Sequence, residues 1–292
     1  QLFVRKPGGG LRRRGETLIV DWDDIRGLSA PVEDQPAEQL LTRLDEMRAA
    51  DIADVLQDLS PKRRMEVARS LDDERLADIL EELPEDDRTE IVMMLDGERA
   101  ADVLEEMDPD DAADLISELP PEQAADLLQR MEPEDAEDIR RLLSYDDFSA
   151  GGMMTTEPIV LLPDATVADA LAQIRNPDLS PALASQVYVT RSPTETPTGR
   201  YLGACHFQQL LREPPATLVS SLIDKNLQPV GPLAPLGEVT RNFAAYNLVA
   251  LPVVDENNHL LGAVTIDDVI DHMLPEDWRD NDDESGSPGH GD

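Results

Sequence analysis

Carboxylates dominate the side chains that could do chemistry here, and they return on a beat of twelve. From Asp51 to about Asp147 the pattern Ala-Asp-hydrophobic-hydrophobic is followed by an acidic pair or by a Pro-Glu or Pro-Asp turn. The marker acids are Asp54, Asp78, Glu90, Asp102, Asp114, Asp126 and Asp138, spaced by twelve or twenty-four. An ionised carboxylate only accepts hydrogen bonds, so such an array suits hard divalent cations or basic protein surfaces. The formal charge of −37 repels nucleic acid and anionic membrane and sharpens the question of what neutralises it. Nothing else in the sequence resembles catalytic machinery. His206, His259, His272 and His290 are scattered without metal-binding spacing, and no P-loop or Gly-x-Ser-x-Gly string is present. Cys205, the one cysteine, excludes an internal disulfide and a thiolate cluster, and its apolar run, Tyr201-Leu-Gly-Ala-Cys, reads as core. No enzyme is expected.

The elements that must position these acids follow from the same pattern. A fixed short period signals a stacked array whose units do not fold alone. With hydrophobic residues at 40% and aromatics at 3%, the array reads as Ala/Leu helices rather than a β-sandwich. Pro61, Pro109, Pro121 and Pro133 mark helix starts, where a missing N–H costs nothing, and Ser60 and Asp108 precede two of them as N-caps. The expected product is a superhelix of about eight short helices over 31–147. Before it, residues 1–30 carry Arg5, Lys6, Arg12, Arg13 and Arg14 around a glycine run. They read as the end of a small β domain and a linker, or as a basic segment docking on the acidic repeats. Gln1 in place of Met suggests an upstream piece. After it, a strand-helix-strand-strand-helix pattern occurs twice, over 148–212 and 213–275, and an acidic, unstructured tail is expected over 276–292. No apolar run approaches the length that spans a bilayer, and a single cysteine suits a reducing cytoplasm.

Three strings carry a resemblance: Ser149-Ala-Gly-Gly-Met-Met-Thr155, Ala250-Leu-Pro-Val-Val-Asp255 and Leu261-Gly-Ala-Val-Thr-Ile-Asp-Asp-Val-Ile-Asp271. The second half resembles a tandem CBS pair. Together with the acidic helical array before it, the chain resembles the cytosolic part of MgtE-type magnesium channels over about residues 35–280. The fold class this implies is α plus α/β: an α-solenoid-like acidic superhelix followed by two β-α-β-β-α CBS copies. The resemblance implies Mg²⁺ sensing by ions bridging the two bodies and the connecting segment. It places ligands at Asp268 and Asp271, which share a helix face at i,i+3, and at Glu276 and Asp280. On the superhelix side it points to Asp110, Asp111 and Asp114. Two further family acids appear here as Gly237 and Asn247, so some metal sites are expected to be lost. Pro275, Trp278 and the polar end of the chain depart from a smooth helix entering a pore, which points to a stand-alone relative.

CBS pairs also bind adenine nucleotides such as ATP or AMP, and Gly262, Thr265 and Asp268 satisfy that cleft motif in the second copy. The first copy has His206 and Gln209 at the aligned positions. Asp268 is therefore claimed by metal and nucleotide alike. The expected function is a Mg²⁺-sensing regulatory module tied to magnesium transport, forming a homodimer through its CBS pair and acting on a membrane transporter or another effector. It would work in the cytoplasm or at the cytosolic face of the membrane. The alternatives are a nucleotide-sensing regulator and an interaction scaffold unrelated to transport.

Overall fold

The computed structural model describes residue 44 and residues 47–177, 179–275 and 278–279. The basic opening of 1–30 and the proposed ligands Glu276 and Asp280 lie outside the described residues. The chain divides into two compact units, 1–71 and 72–292.

In the first unit, α1 (Ala49–Gln57) and α2 (Pro61–Ala68) are two short helices separated by three residues. Buried Arg64 donates its Nε–H to the Leu56 carbonyl at 3.0 Å, placing a cation on the carbonyl end of α1.

The second unit begins with six more short helices: α3 (Asp73–Glu81), α4 (Glu85–Met94), α5 (Gly97–Glu105), α6 (Pro109–Glu118), α7 (Pro121–Arg130) and α8 (Pro133–Leu142). Helices start at Pro61, Pro109, Pro121 and Pro133, as the turn spacing predicts. Each helix packs on the one two places ahead: α3 on α5, α5 on α7, α4 on α6, α6 on α8. The structural repeat is thus twenty-four residues in two interleaved rows, and the twelve-residue beat is half of it. Ion pairs run along the rows, as in Arg99 Nε to Asp73 Oδ1 at 2.9 Å and Arg88 to Glu118. The rows are held mainly by buried Leu76, Ile79, Leu80, Val103, Leu104, Leu115 and Ile116, since each buried aliphatic side chain contributes about 1.5–3 kcal/mol and a partly exposed ion pair such as Arg99 with Asp73 far less.

Asp72 and Asp96 cap α3 and α5, accepting from Arg75 N and Arg99 N at 2.9 and 3.2 Å. Asp108 does not cap α6. Its backbone N–H donates instead to Glu81 Oε1 at 2.8 Å, and its carboxylate turns toward neighbouring acids. One repeat later, Glu105 accepts from Glu132 N in the same way. A glutamate ending one helix therefore caps the helix three places on.

Two three-stranded sheets follow. One joins β2 (Val160–Leu161) parallel to β3 (Gln186–Thr190), which pairs antiparallel with β4 (Tyr201–His206); α9 (Val167–Ile174) and α10 (Phe207–Leu210) accompany it. The other sets β6 (Leu260–Thr265) between β1 (Met154–Thr155) and β5 (Ala250–Val254), with α11 (Leu236–Tyr246) and α12 (Ile266–Asp271). Strands 186–190 and 250–254 fall where the sequence pattern puts them. Segments cross between the halves: β1, from the junction after α8, completes the second sheet, while Val219 and Leu222 pack in the core of the first. Buried Cys205 donates its Sγ–H to the Val219 carbonyl at 3.3 Å, and burial pushes its thiol up to about 12, so it is inert core. Among the described residues no helix is long and apolar enough to cross a membrane.

The junction docks on the sheets through side chains. Arg141 of α8 donates to the Thr196 carbonyl at 3.1 Å, and Thr196 Oγ1 donates to the Thr156 carbonyl at 2.8 Å. β1 approaches β6 so closely that a Cβ on Gly262 would lie 2.2 Å from the Thr155 carbonyl oxygen. Gly262→Ala is therefore expected to destabilise the fold by about 1–3 kcal/mol, read as a lowered midpoint in urea unfolding. An unchanged midpoint would mean that β1 does not pack there.

Candidate metal centre

Helix α6 is amphipathic because Ala112, Ala113, Leu115 and Ile116 face the neighbouring rows. That leaves Asp110, Asp111 and Asp114 on the side turned toward α12. In α12, Val269 is the buried anchor, so Asp268 and Asp271 share the opposite face. These five acids line one open cavity of about 210 Å³, together with Phe148, Gly152, Met153, Leu274, Pro275 and Trp278. Gly152 is required there, because a Cβ would meet the Asp146 carbonyl oxygen at 2.5 Å. With Glu85, six carboxylates line the cavity against the two guanidiniums of Arg88 and Arg279. Arg88 is already committed, donating to both oxygens of Glu118, which Thr89 also binds at 3.0 Å.

The electrostatics are those of negative charge that exceeds its compensation. Burial first, and then Asp268, holds the Asp110 carboxyl well above the usual carboxylate range. Asp111 is raised by burial, then by Glu81 and Asp268. Burial also raises Asp114, although His272 and Arg88 pull it down. Asp268 is pushed up to about 7, chiefly by burial and against the hydrogen bond from Thr265. Asp110 is only 7% exposed, and its Oδ1 has no hydrogen-bond partner. A buried, unpaired carboxylate oxygen on a residue that lines a polar cavity fits a cation or the waters around one.

Glu81 and Asp108 extend the cluster. One oxygen from each of Glu81, Asp108 and Asp111 lies within 4.8 Å of the others. Burial, then Asp108, pushes Glu81 up to about 8, and Asp108 is raised by burial and Asp267. The sequence reading missed both residues. Their signal was the twenty-four-residue repeat, since Glu81 stands to Asp108 as Glu105 does to Glu132.

The residues of the nucleotide motif have local roles. Gly262 admits β1, and buried Thr265 caps α12 within a capping box, its hydroxyl 2.6 Å from Asp268 Oδ2 and 2.5 Å from Asp267 Oδ1. Of the three, Asp268 alone lines the cavity. Gly237 and Asn247, the two departures from the family acids, lie outside it. Asn247 has φ 51°, the left-handed residue that ends α11. His272 Nδ1 donates back to the Asp268 carbonyl at 2.9 Å, which fixes the ring beside the acids.

Known proteins share this architecture. Residues 47–147 match the MgtE intracellular N domain, residues 219–275 a CBS domain and residues 1–31 an actinomycetes SH3 domain. The magnesium transporter MgtE of Enterococcus faecalis is 30% identical over 133 residues, 46% of this chain and 28% of that protein. MgtE of Thermus thermophilus is 30% identical over 142 residues, 49% of this chain and 30% of that protein. The matched region spans less than a third of the length of these relatives. Among solved structures, the soluble part of a magnesium transporter superimposes with a TM-score of 0.74 at 27% identity, covering 81% of this chain and 91% of that one. The cytosolic domain of the Mg²⁺ channel MgtE in complex with ATP gives 0.72 at 28% identity, covering 82% and 95%.

The raised carboxyls set the pH dependence. In the metal-free chain, Asp268 and Glu81 bind protons more tightly folded than unfolded, so they contribute stability that is full below about pH 4 and lost as pH rises through about 7 to 8. The metal-free melting temperature is expected to fall between pH 5 and pH 8. Added Mg²⁺ should raise it at pH 8 and hardly at pH 5, where protons hold the sites. Differential scanning calorimetry checks this, and a rise in stability toward pH 8 without metal would contradict it.

Proposed function

We propose that this chain, in which an MgtE intracellular N domain precedes a CBS pair, is a magnesium-sensing regulatory module. The observation that carries the reading is the convergence of Asp110, Asp111 and Asp114 from α6 with Asp268 and Asp271 from α12 on one cavity, where Asp110 Oδ1 is buried and unpaired. A bound Mg²⁺ would supply positive charge that offsets the repulsion between the two helices. The ion is hard, keeps several of its waters and accepts one or two direct carboxylates. A roomy cavity lined by many carboxylates suits that habit better than a tight cage does.

The chain's own residues do the rest. The aliphatic side of α6 and Val269 of α12 hold the two acidic faces in register, and Thr265 steadies Asp268 through the α12 cap. Without the ion, the acids favour separation or protonation; with it, they favour approach. The ion thus biases one of two arrangements by its differential affinity. The module acts in the cytoplasm as a homodimer through the CBS pair and reports the Mg²⁺ level to a magnesium transporter or another effector. Tyr246, Ile270 and Met273 offer exposed apolar surface beside the pair.

Nucleotide sensing stands as a second reading, favoured by the ATP complex of the similar MgtE cytosolic domain. Titration calorimetry separates the two. MgCl₂ is expected to give a saturable isotherm, with Asp110→Asn and Asp271→Asn each weakening binding by about tenfold or more. ATP binding, where it occurs, is expected to survive Asp271→Asn. Mg²⁺ isotherms unchanged by both substitutions would overturn the metal reading.

A further inference from the structure

One acid that lines the cavity, Asp271, already holds a cation that belongs to the chain. Arg279 donates from Nη2 to the Asp271 carboxylate, and its guanidinium carbon stands 4.7 Å from the centroid of the Trp278 ring. The Arg279 and Asp271 side chains are only 21% and 33% exposed, so solvent screens the pair incompletely. The Nε of Arg279 is buried with no hydrogen-bond partner. The Trp278 backbone N–H donates to the Pro275 carbonyl at 3.0 Å, and Trp278 and Arg279 both line the cavity.

We propose that Arg279 is a tethered competitor of the divalent cation, and that Mg²⁺ entry expels Arg279 and moves Trp278 with it. This deepens the metal-site reading above and rests on it. The carboxylate of Asp271 cannot give its best oxygens to a guanidinium and to a metal at once, and a dication drawn into the cavity repels the arginine. In low Mg²⁺ the single charge of Arg279 offsets part of the repulsion among the acids, so the cavity stays assembled. At higher Mg²⁺ the doubly charged ion replaces it. Two consequences follow from one contact. The Mg²⁺ concentration needed for half-saturation is set higher than the acids alone would set it. The path of the chain after α12 also changes with occupancy, which carries the signal away from the site.

Trp22 and Trp278 are the two tryptophans, so Trp22→Phe leaves Trp278 as a single reporter in the full chain. Mg²⁺ is titrated with Trp278 emission and calorimetry read in parallel, for this protein and for its Arg279→Gln and Arg279→Lys forms. The expected result is an emission shift that follows the binding isotherm. Arg279→Gln should lower the half-saturating Mg²⁺ by about fivefold, and Arg279→Lys should fall between, because lysine keeps the charge without the planar fork. Saturable Mg²⁺ heat with equal affinity in all three forms and a silent Trp278 would overturn the competitor proposal and leave the metal site standing. The absence of saturable Mg²⁺ binding in all three would overturn both. Binding that becomes measurable only in Arg279→Gln would support the proposal.

Discussion

Carboxylates cannot stay buried together without something to balance them, and the arrangement of this protein turns on that constraint. Two unit charges 4.8 Å apart, the outer spacing among Glu81, Asp108 and Asp111, repel by about 3.5 kcal/mol at an effective dielectric constant of ~20. Burial adds a desolvation cost for each charge. Against a typical domain stability of about 5–15 kcal/mol, a cluster of this kind is a large local liability. It is relieved by protons, by a cation or by moving the two helices apart, and each route leaves a different signature. The raised carboxyls record the first route, and the ion pair of Arg279 with Asp271 is a partial form of the second.

The helical rows explain why the liability is tolerated. Because each helix leans on the one two places ahead, α6 is fixed from both sides, by α4 and by α8. Its aliphatic side is secured whatever happens on its acidic side. The junction that ends in β1 is held by pairing with β6, next to the strand end that leads into α12. Both acidic faces are therefore presented by parts of the fold that owe their stability to apolar packing and strand pairing. Charge balance at the cavity can change without unfolding either. That separation between what holds the fold and the acids proposed to meet a cation is what the sensor reading requires of the structure.

Much of this was legible in the residues. The proline-led turns predicted the starts at Pro61, Pro109, Pro121 and Pro133, and the strands at 186–190 and 250–254 fall where the hydrophobic runs place them. These features are local, decided by a few neighbouring side chains. The placement of Asp110, Asp111, Asp114, Asp268 and Asp271 came from family resemblance, and the geometry brings all five to one cavity. What the sequence hid was non-local or atypical. β1 is two residues long and pairs with a strand more than a hundred positions away, so no alternation betrays it. Asp108 looked like a helix cap because its type and position suit one, yet Glu81 takes its N–H. The Pro275 and Trp278 departure read as a broken helix, and its consequence, a guanidinium turned back onto Asp271, depends on a contact that spacing alone does not encode.

The most direct test is to locate the cation itself. Crystals of the chain grown with Mn²⁺ in place of Mg²⁺, both hard ions with oxygen ligands, would show anomalous scattering wherever a divalent ion is bound. The account predicts a peak in the cavity between α6 and α12, within bonding distance of Asp110 or Asp114 on one side and Asp268 or Asp271 on the other, directly or through bound water. A cavity without anomalous density at saturating Mn²⁺, with α6 and α12 still facing each other, would contradict it.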